Sequence, residues 1–457
     1  MFTGTLLPYQ VEAVERMCDR QSMLVAYDLG LGKTVLTISA IESLMDSSEI
    51  TEPGLVICLS SLKYQWGKEI AKFSDSTFTV IDGTKSKREV DYLLGSANSK
   101  YVITNYESIV NDWDIVSEID WGAIVCDEAT AIKRDTTDRW KAINQIVTPN
   151  TWLWLMTGTP AAQSPLDAYG LAKLVNPDGV PKFFGTFRDM VMAKITQFKW
   201  VPKENATQTV FNALQPAIRF TKDECLDLPE MTYVKRNVEL TKQQEKYYQL
   251  LKKRMVIQAA GEEISAVNAA TQVNKLLQIA CGSVYTDTGE VVDFDVSNRL
   301  NVVQEVIEES SNKVLVFVPF THTIDLLRKH LEKNHITCDV INGSVSANAR
   351  ADIVNTFQSN DNVKVLIIQP QAASHGLTLT AADTIIWYAP CTSVETYLQA
   401  NARIDRPGQK NSMTIVHVKG SNVESRMYAL LRSNIHNHNQ VIDLYRQEIL
   451  EKDFEIA

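Results

Sequence analysis

Long apolar runs are what this 457-residue chain most obviously lacks. Its longest, VLVFVPF and TIIWYA, fall far short of the roughly 18–20 residues that span a bilayer. The opening Met-Phe-Thr-Gly-Thr has neither a basic flank nor an apolar stretch, so no secretory signal is expected. The seven cysteines include no Cys-x-x-Cys pair, which removes zinc ribbons and gives no support to a disulfide framework. His436 with His438, or His330 with His335 and Cys338, supply no recognised metal-ligand spacing. A reducing cytoplasm fits best. Positive charge is short as well: 45 Lys and Arg against 55 Asp and Glu leave −10, the wrong sign for a simple basic wrapper of nucleic acid. Local patches at Lys85 to Arg88 and Lys246 to Arg254 read equally well as solvated helix faces.

What is present is alternation of short apolar runs with helical patterns, the mark of parallel α/β sheets. Runs at 22–29, 54–60, 77–82, 101–106, 123–128 and 152–159 form one set. Runs at 313–320, 338–343, 364–369, 384–389 and 413–420 form another. They are β-branched and nearly continuous, as strands covered on both faces must be. Residues between the sets have mostly helical periodicity. The expected class is α/β, with two lobes at 1–160 and 301–457 and helical protrusions with a linker at 161–300.

AYDLGLGKT, residues 26–34, follows an apolar strand and opens a helix. Strand, glycine loop and helix N-terminus together form a phosphate cradle. Gly30 and Gly32 let backbone approach phosphate oxygens, Lys33 reaches the β- and γ-phosphates, and Thr34 offers a hydroxyl to Mg²⁺. Tyr27 stands where the strict pattern has its first glycine. Asp127 and Glu128 end the run AIVC, at the strand edge where ligands bind in open sheets. Asp127 suits a magnesium ion, and Glu128 suits orienting and deprotonating water. Later, QANARIDRPGQ places Arg403 and Arg406 three apart, as neighbours on one helical face. Two guanidinium groups so presented suit a triphosphate; a surface Arg–Asp pair with Asp405 is the plainer reading of that motif alone.

In this order the motifs resemble superfamily-two helicases, and within them the Swi/Snf-related DNA-dependent ATPases. LLPYQ is similar to the adenine-reading motif, with Gln10 in the matching place. DLGLGKT, LVICLSSLKYQW, ITNYES, DEATAIK and MTGTP follow as the first-lobe motifs, with Thr130 in place of a histidine. AIRFTKDECLDLPEM carries Arg219 and Lys222 of an Arg-x-x-Lys element. GLTLTAAD resembles motif V, with Thr378 for the usual Asn, and 399–409 resembles motif VI.

The resemblance implies two RecA-like lobes with ATP and Mg²⁺ held between them. Gln10, Gly30, Gly32, Lys33, Thr34 and Gly376 would bind the nucleotide, with Thr34 and Asp127 on the metal. Lys33, Asp127, Glu128, Arg403 and Arg406 would carry catalysis. Ser60, Ser61, Asn105, Tyr106, Lys133, Thr321 and Thr378 would touch DNA phosphate and sugar, giving position without sequence readout. The expected activity is ATP-driven translocation on double-stranded or forked DNA, with no membrane partner. The chain looks like the compact stand-alone members of phages and bacteria, in repair or recombination. The alternatives are a strand-separating DNA or RNA helicase, or an ATP-gated nucleic-acid-binding module with weak hydrolysis.

Overall fold

Runs that are apolar on both faces need cover on both sides, and in the computed structural model all of them become parallel strands. The structure describes residues 1–28, 30–158, 160–161, 164–196, 200–225, 229–259, 266–285, 291–373 and 377–433. The chain divides into two compact units, Met1–Asp227 and Leu228–Ala457.

In the first unit β1 (Ser22–Tyr27), β2 (Gly54–Cys58), β3 (Phe78–Val80), β4 (Tyr101–Asn105), β5 (Ala123–Asp127) and β6 (Trp152–Met156) build most of a seven-stranded sheet. A short antiparallel ribbon, β7 (Met192–Lys194) and β8 (Trp200–Pro202), precedes the last strand, β9 (Ala217–Phe220). The order is β3-β4-β2-β5-β6-β1-β9, and each pairing within it is parallel. Alternate residues feed opposite layers, as the two-residue period requires. Leu24, Leu55, Ile57, Ile124 and Leu155 face one core; Val25, Val56, Val125 and Trp154 face the other.

The second unit starts with β10 (Met231–Asn237), then an antiparallel pair, β11 (Ser283–Tyr285) and β12 (Val291–Asp293). Its sheet is completed by β13 (Lys313–Phe317), β14 (Cys338–Ile341), β15 (Val365–Ile368), β16 (Ala382–Trp387) and β17 (Met413–Lys419). The order is β10-β17-β16-β13-β15-β14, again parallel throughout. Each unit is thus a three-layer α/β body with its own core.

Residues 161–300, read from the sequence as helical material between the lobes, are shared between the two units. Helices Ala168–Val175, Phe184–Val191 and Ala206–Ala213 lend Leu171, Phe187 and Val210 to the first unit's core. Tyr248, Met255, Leu276 and Leu277 join the second unit's core instead. Besides the two short antiparallel ribbons, two strands of the main sheets were hidden in this stretch: β9 and β10 lie at sheet edges, where charged residues such as Arg219 and Lys235 face solvent and blur the apolar signal.

Candidate nucleotide site

Strand β1 ends at Tyr27, and the chain turns into helix Lys33–Asp46 through Gly30 and Gly32. Both glycines have positive φ, 91° and 78°, which L side chains adopt only with strain. At Gly32 there is a second reason for glycine: a Cβ would lie 2.5 Å from Gln10 Nε2. Gly32 is also the residue capping the helix, so no side chain blocks the first-turn N–H groups. That donor set fits an anionic phosphate chain. Lys33 donates through Nζ to the carbonyls of Tyr27 at 2.7 Å and Asp28 at 3.3 Å, which holds its ammonium across the loop. Thr34 lies in the first turn, partly exposed.

The tyrosine at position 27 now has an explanation. It closes the strand below the loop, where no glycine is needed, and packs edge-on to Phe220 while its hydroxyl donates to the Tyr9 carbonyl. Gln10 is buried beside the loop: Nε2 donates to the Leu31 carbonyl at 3.1 Å, and Oε1 accepts the Leu7 N–H. The residue matched to base reading is therefore already bonded to the phosphate loop.

Asp127 is the last residue of β5, one strand removed from β1 across β6, so its carboxylate emerges at the same sheet edge as Lys33. Trp66 Nε1 donates to Asp127 Oδ2 at 2.8 Å, and Tyr106 donates through its hydroxyl to the Asp127 carbonyl at 2.8 Å. Desolvation raises the Asp127 carboxyl above its usual range. The Trp66 bond, the Lys33 charge and the Glu128 N–H act in the opposite direction. A desolvated carboxylate near a lysine fits the oxygen-ligand chemistry of Mg²⁺, with Thr34 as the hydroxyl partner. Glu128 adopts a left-handed conformation, φ 54° and ψ 55°, unusual for a side-chain-bearing residue and typical of strained functional positions. Thr157 follows β6 at the same edge and is fully buried, its N–H bonded to the Val25 carbonyl.

Trp66 is the residue that the motif reading passed over. It belongs to the matched string YQW, yet only its indole geometry shows why a hydrogen-bond donor belongs there.

In the second unit, helix Val394–Asn401 stops before the arginines, so Arg403 and Arg406 are not neighbours on a helical face. Pro407 disfavours helix at the residue before it, and Gly408, at φ 101°, turns the chain. Arg403 is 2% exposed, with Nε on the Gln399 carbonyl at 2.9 Å and a terminal N–H on the Leu377 carbonyl at 3.2 Å. Arg406 is half-buried and donates to Thr378 Oγ1 at 3.0 Å. The two arginines are brought together by a loop, tied to residues 377–378. Gln409 locks that loop by donating to the Ala382 carbonyl at 2.9 Å. Gly376 lies outside the described residues.

The residues matched to DNA contact separate into two kinds. Ser60, Ser61 and Thr321 are exposed at the starts of helical turns, and Thr378 is exposed in a loop. Asn105 and Tyr106 are not: Asn105 caps a helix by accepting the Ser108 N–H, and Tyr106 is 1% exposed beneath Asp127. Tyr106 supports the carboxylate strand and presents nothing to a backbone phosphate. Lys133 pairs with Asp167 at 3.1 Å.

Residues 9–282 match the family model for the SNF2-related domain, more than half of the chain. The chain belongs to the SNF2-related family. Residues 298–408 match the helicase conserved C-terminal domain, so the family's paired ATPase domains are both present. The mouse chromodomain-helicase-DNA-binding protein 1-like is 24% identical over 460 residues, covering 96% of this chain and 50% of that protein. The chromodomain-helicase-DNA-binding protein 3 homolog of Caenorhabditis elegans is 24% identical over 480 residues, covering 94% of this chain and 26% of its own length. The chain thus spans half or less of these curated relatives. A Sulfolobus solfataricus SWI2/SNF2 ATPase core, solved in complex with dsDNA, is 23% identical, covers 98% of this chain and 94% of that one, and has a TM-score of 0.47. Among the described residues no helix is long and apolar enough to cross a membrane.

Proposed function

We propose that this SNF2-related protein is a DNA-dependent ATPase that moves along double-stranded DNA without obligatory strand separation. The single observation carrying the ATPase half is the shared sheet edge: an uncapped helix N-terminus behind Gly32, Lys33 across the loop, and Asp127 desolvated opposite. Lys33 and the first-turn N–H groups would hold the triphosphate of the ATP substrate. Thr34 and Asp127 would hold magnesium, whose charge offsets that of the phosphates when bound. Glu128 would orient and deprotonate the attacking water, and Arg403 and Arg406 would meet the charge that develops on the phosphoryl group. An arginine finger contributes about 10³–10⁵ in rate in related chemistry.

The DNA half is supported by family membership and by the printed descriptions of the relatives. Ser60, Ser61, Thr321 and Thr378, all exposed, are the proposed backbone contacts.

The test is ATP turnover measured without nucleic acid and with single-stranded, duplex and forked DNA and RNA, beside a triplex-displacement assay. Duplex DNA should stimulate at least as well as single strands, and displacement should occur without unwinding. Stimulation by RNA alone, or unwinding of blunt duplexes, would replace this reading with a strand-separating helicase.

A further inference from the structure

A helix laid on a sheet normally buries apolar side chains between the layers. One junction in the second unit does so only in part: helix Asn422–Arg432 sends Val423, Met427 and Leu431 into the core that Met413 and Ile415 of β17 also enter, and leaves a polar corner beside them. Parallel pairing of β10 and β17 sets Lys235 beside His417 and Asn237 beside Lys419, so both lysines project from one sheet face. Helix Asn422–Arg432 turns Ser425, Tyr428, Ala429 and Arg432 toward this face, positions i, i+3, i+4 and i+7 of one stripe. Two of these are small, and they leave a cavity of about 410 Å³ lined by Lys235, Lys419, Arg432 and Ser425, with His417 and Tyr428 behind. That volume lies within the ~300–1,000 Å³ of small-molecule sites.

From these cations, on three separate elements, we infer a binding pocket for a small phosphate-bearing anion, outside the nucleotide site. None of the three is in an ion pair among the described residues. The nearby Glu424 is turned inward to Arg299. Arg432 is held in place by its guanidinium lying 4.5 Å from the Tyr233 ring centre. The rear wall is rigid: His417 stacks on Tyr428 at 4.1 Å and bonds to the Tyr397 hydroxyl at 2.8 Å. Burial holds the imidazole down to about 3, and the charges of Arg432 and Lys235 push in the same direction. Edge lysines also discourage strand-to-strand aggregation, but that role requires no cavity and no arginine opposite. Like charges gathered around a void are relieved by a multiply charged anion, and Arg with Lys is the side-chain pair suited to phosphate.

The experiment is calorimetric titration of the full-length Lys33→Ala chain with inorganic phosphate, tripolyphosphate and a short DNA duplex. This background weakens the nucleotide loop and makes the result independent of turnover. Tripolyphosphate should bind saturably, and Lys235→Ala with Arg432→Ala should weaken it at least tenfold, while Lys333→Ala, at the exposed end of helix Thr321–Lys333 and outside the cavity lining, leaves it unchanged. Lys235 and Arg432 are exposed, so melting curves should be preserved; Lys235→Gln with Arg432→Gln is the substitute pair if they are not. Absence of saturable binding, or binding indifferent to the pair, overturns the inference. Loss of duplex binding alone makes the face a nucleic-acid track and overturns it equally.

Discussion

Trp66→Phe is the most incisive single change to the nucleotide site. Phenylalanine keeps most of the apolar volume of a side chain that is 2% exposed and removes its one polar group, the indole N–H, which reaches Asp127 Oδ2 at 2.8 Å. A hydrogen bond to an ionised, desolvated carboxylate contributes about 1.5–3 kcal/mol, and the lost ring volume adds about 1 kcal/mol. With the carboxylate charged, the first unit should therefore lose about 2.5–4 kcal/mol. The pH dependence follows from charge. Desolvation already raises the Asp127 carboxyl, so the fold favours its protonated form and this group's contribution declines as pH rises. Removing a bond that favours the charged form raises it further, so the penalty is largest where the carboxylate is charged and shrinks as the acid protonates. Urea unfolding of wild type, Trp66→Phe, Asp127→Asn and the double variant closes a thermodynamic cycle. In the Asp127→Asn background the amide oxygen can still accept the indole N–H, so Trp66→Phe should cost its packing share plus only the smaller contribution of a neutral hydrogen bond, about 0.5–1.5 kcal/mol. Equal cost in both backgrounds, or a penalty that persists unchanged into acid, refutes the claim that the indole steadies a charged carboxylate.

Glu128→Gln should retain ATP while turnover falls by ~10²–10⁴, measured in single-turnover assays; wild-type turnover contradicts the water-activating role. Gly32→Ala should destabilise the loop by about 1–2 kcal/mol through its φ of 78° and weaken ATP binding, and adding Gln10→Ala should relieve the contact but not the backbone strain. Arg406→Ala should slow hydrolysis at saturating DNA far more than it weakens DNA binding. Normal turnover with a salt slope flatter by ~0.9 would instead make it a phosphate contact. Glu424→Gln, which strands the buried Arg299 guanidinium, should cost the second unit about 3–5 kcal/mol in chemical denaturation.

Much of the site was readable from local chemistry. The loop glycines, Lys33 and the Asp127–Glu128 pair each sit where a strand ends, and strand ends are legible because both-face burial makes central strands continuous. The edge strands β9 and β10 escaped because water on one side admits charge. The three-residue spacing suggests one helical face for the arginine pair because spacing alone cannot see that the helix stops at Asn401. Trp66 and Tyr106 escaped for a different reason: their roles depend on partners 61 and 21 residues away, and no local pattern records a hydrogen bond across a sheet.

Glu128 sits in a backbone region that suits glycine, asparagine or aspartate better than glutamate. Its presence there puts two kinds of selection in opposition. A library randomised at position 128 and sorted only for expression or protease resistance should drift toward Gly and Asn, which fit the left-handed turn with less strain. The same library sorted for ATP turnover should return glutamate.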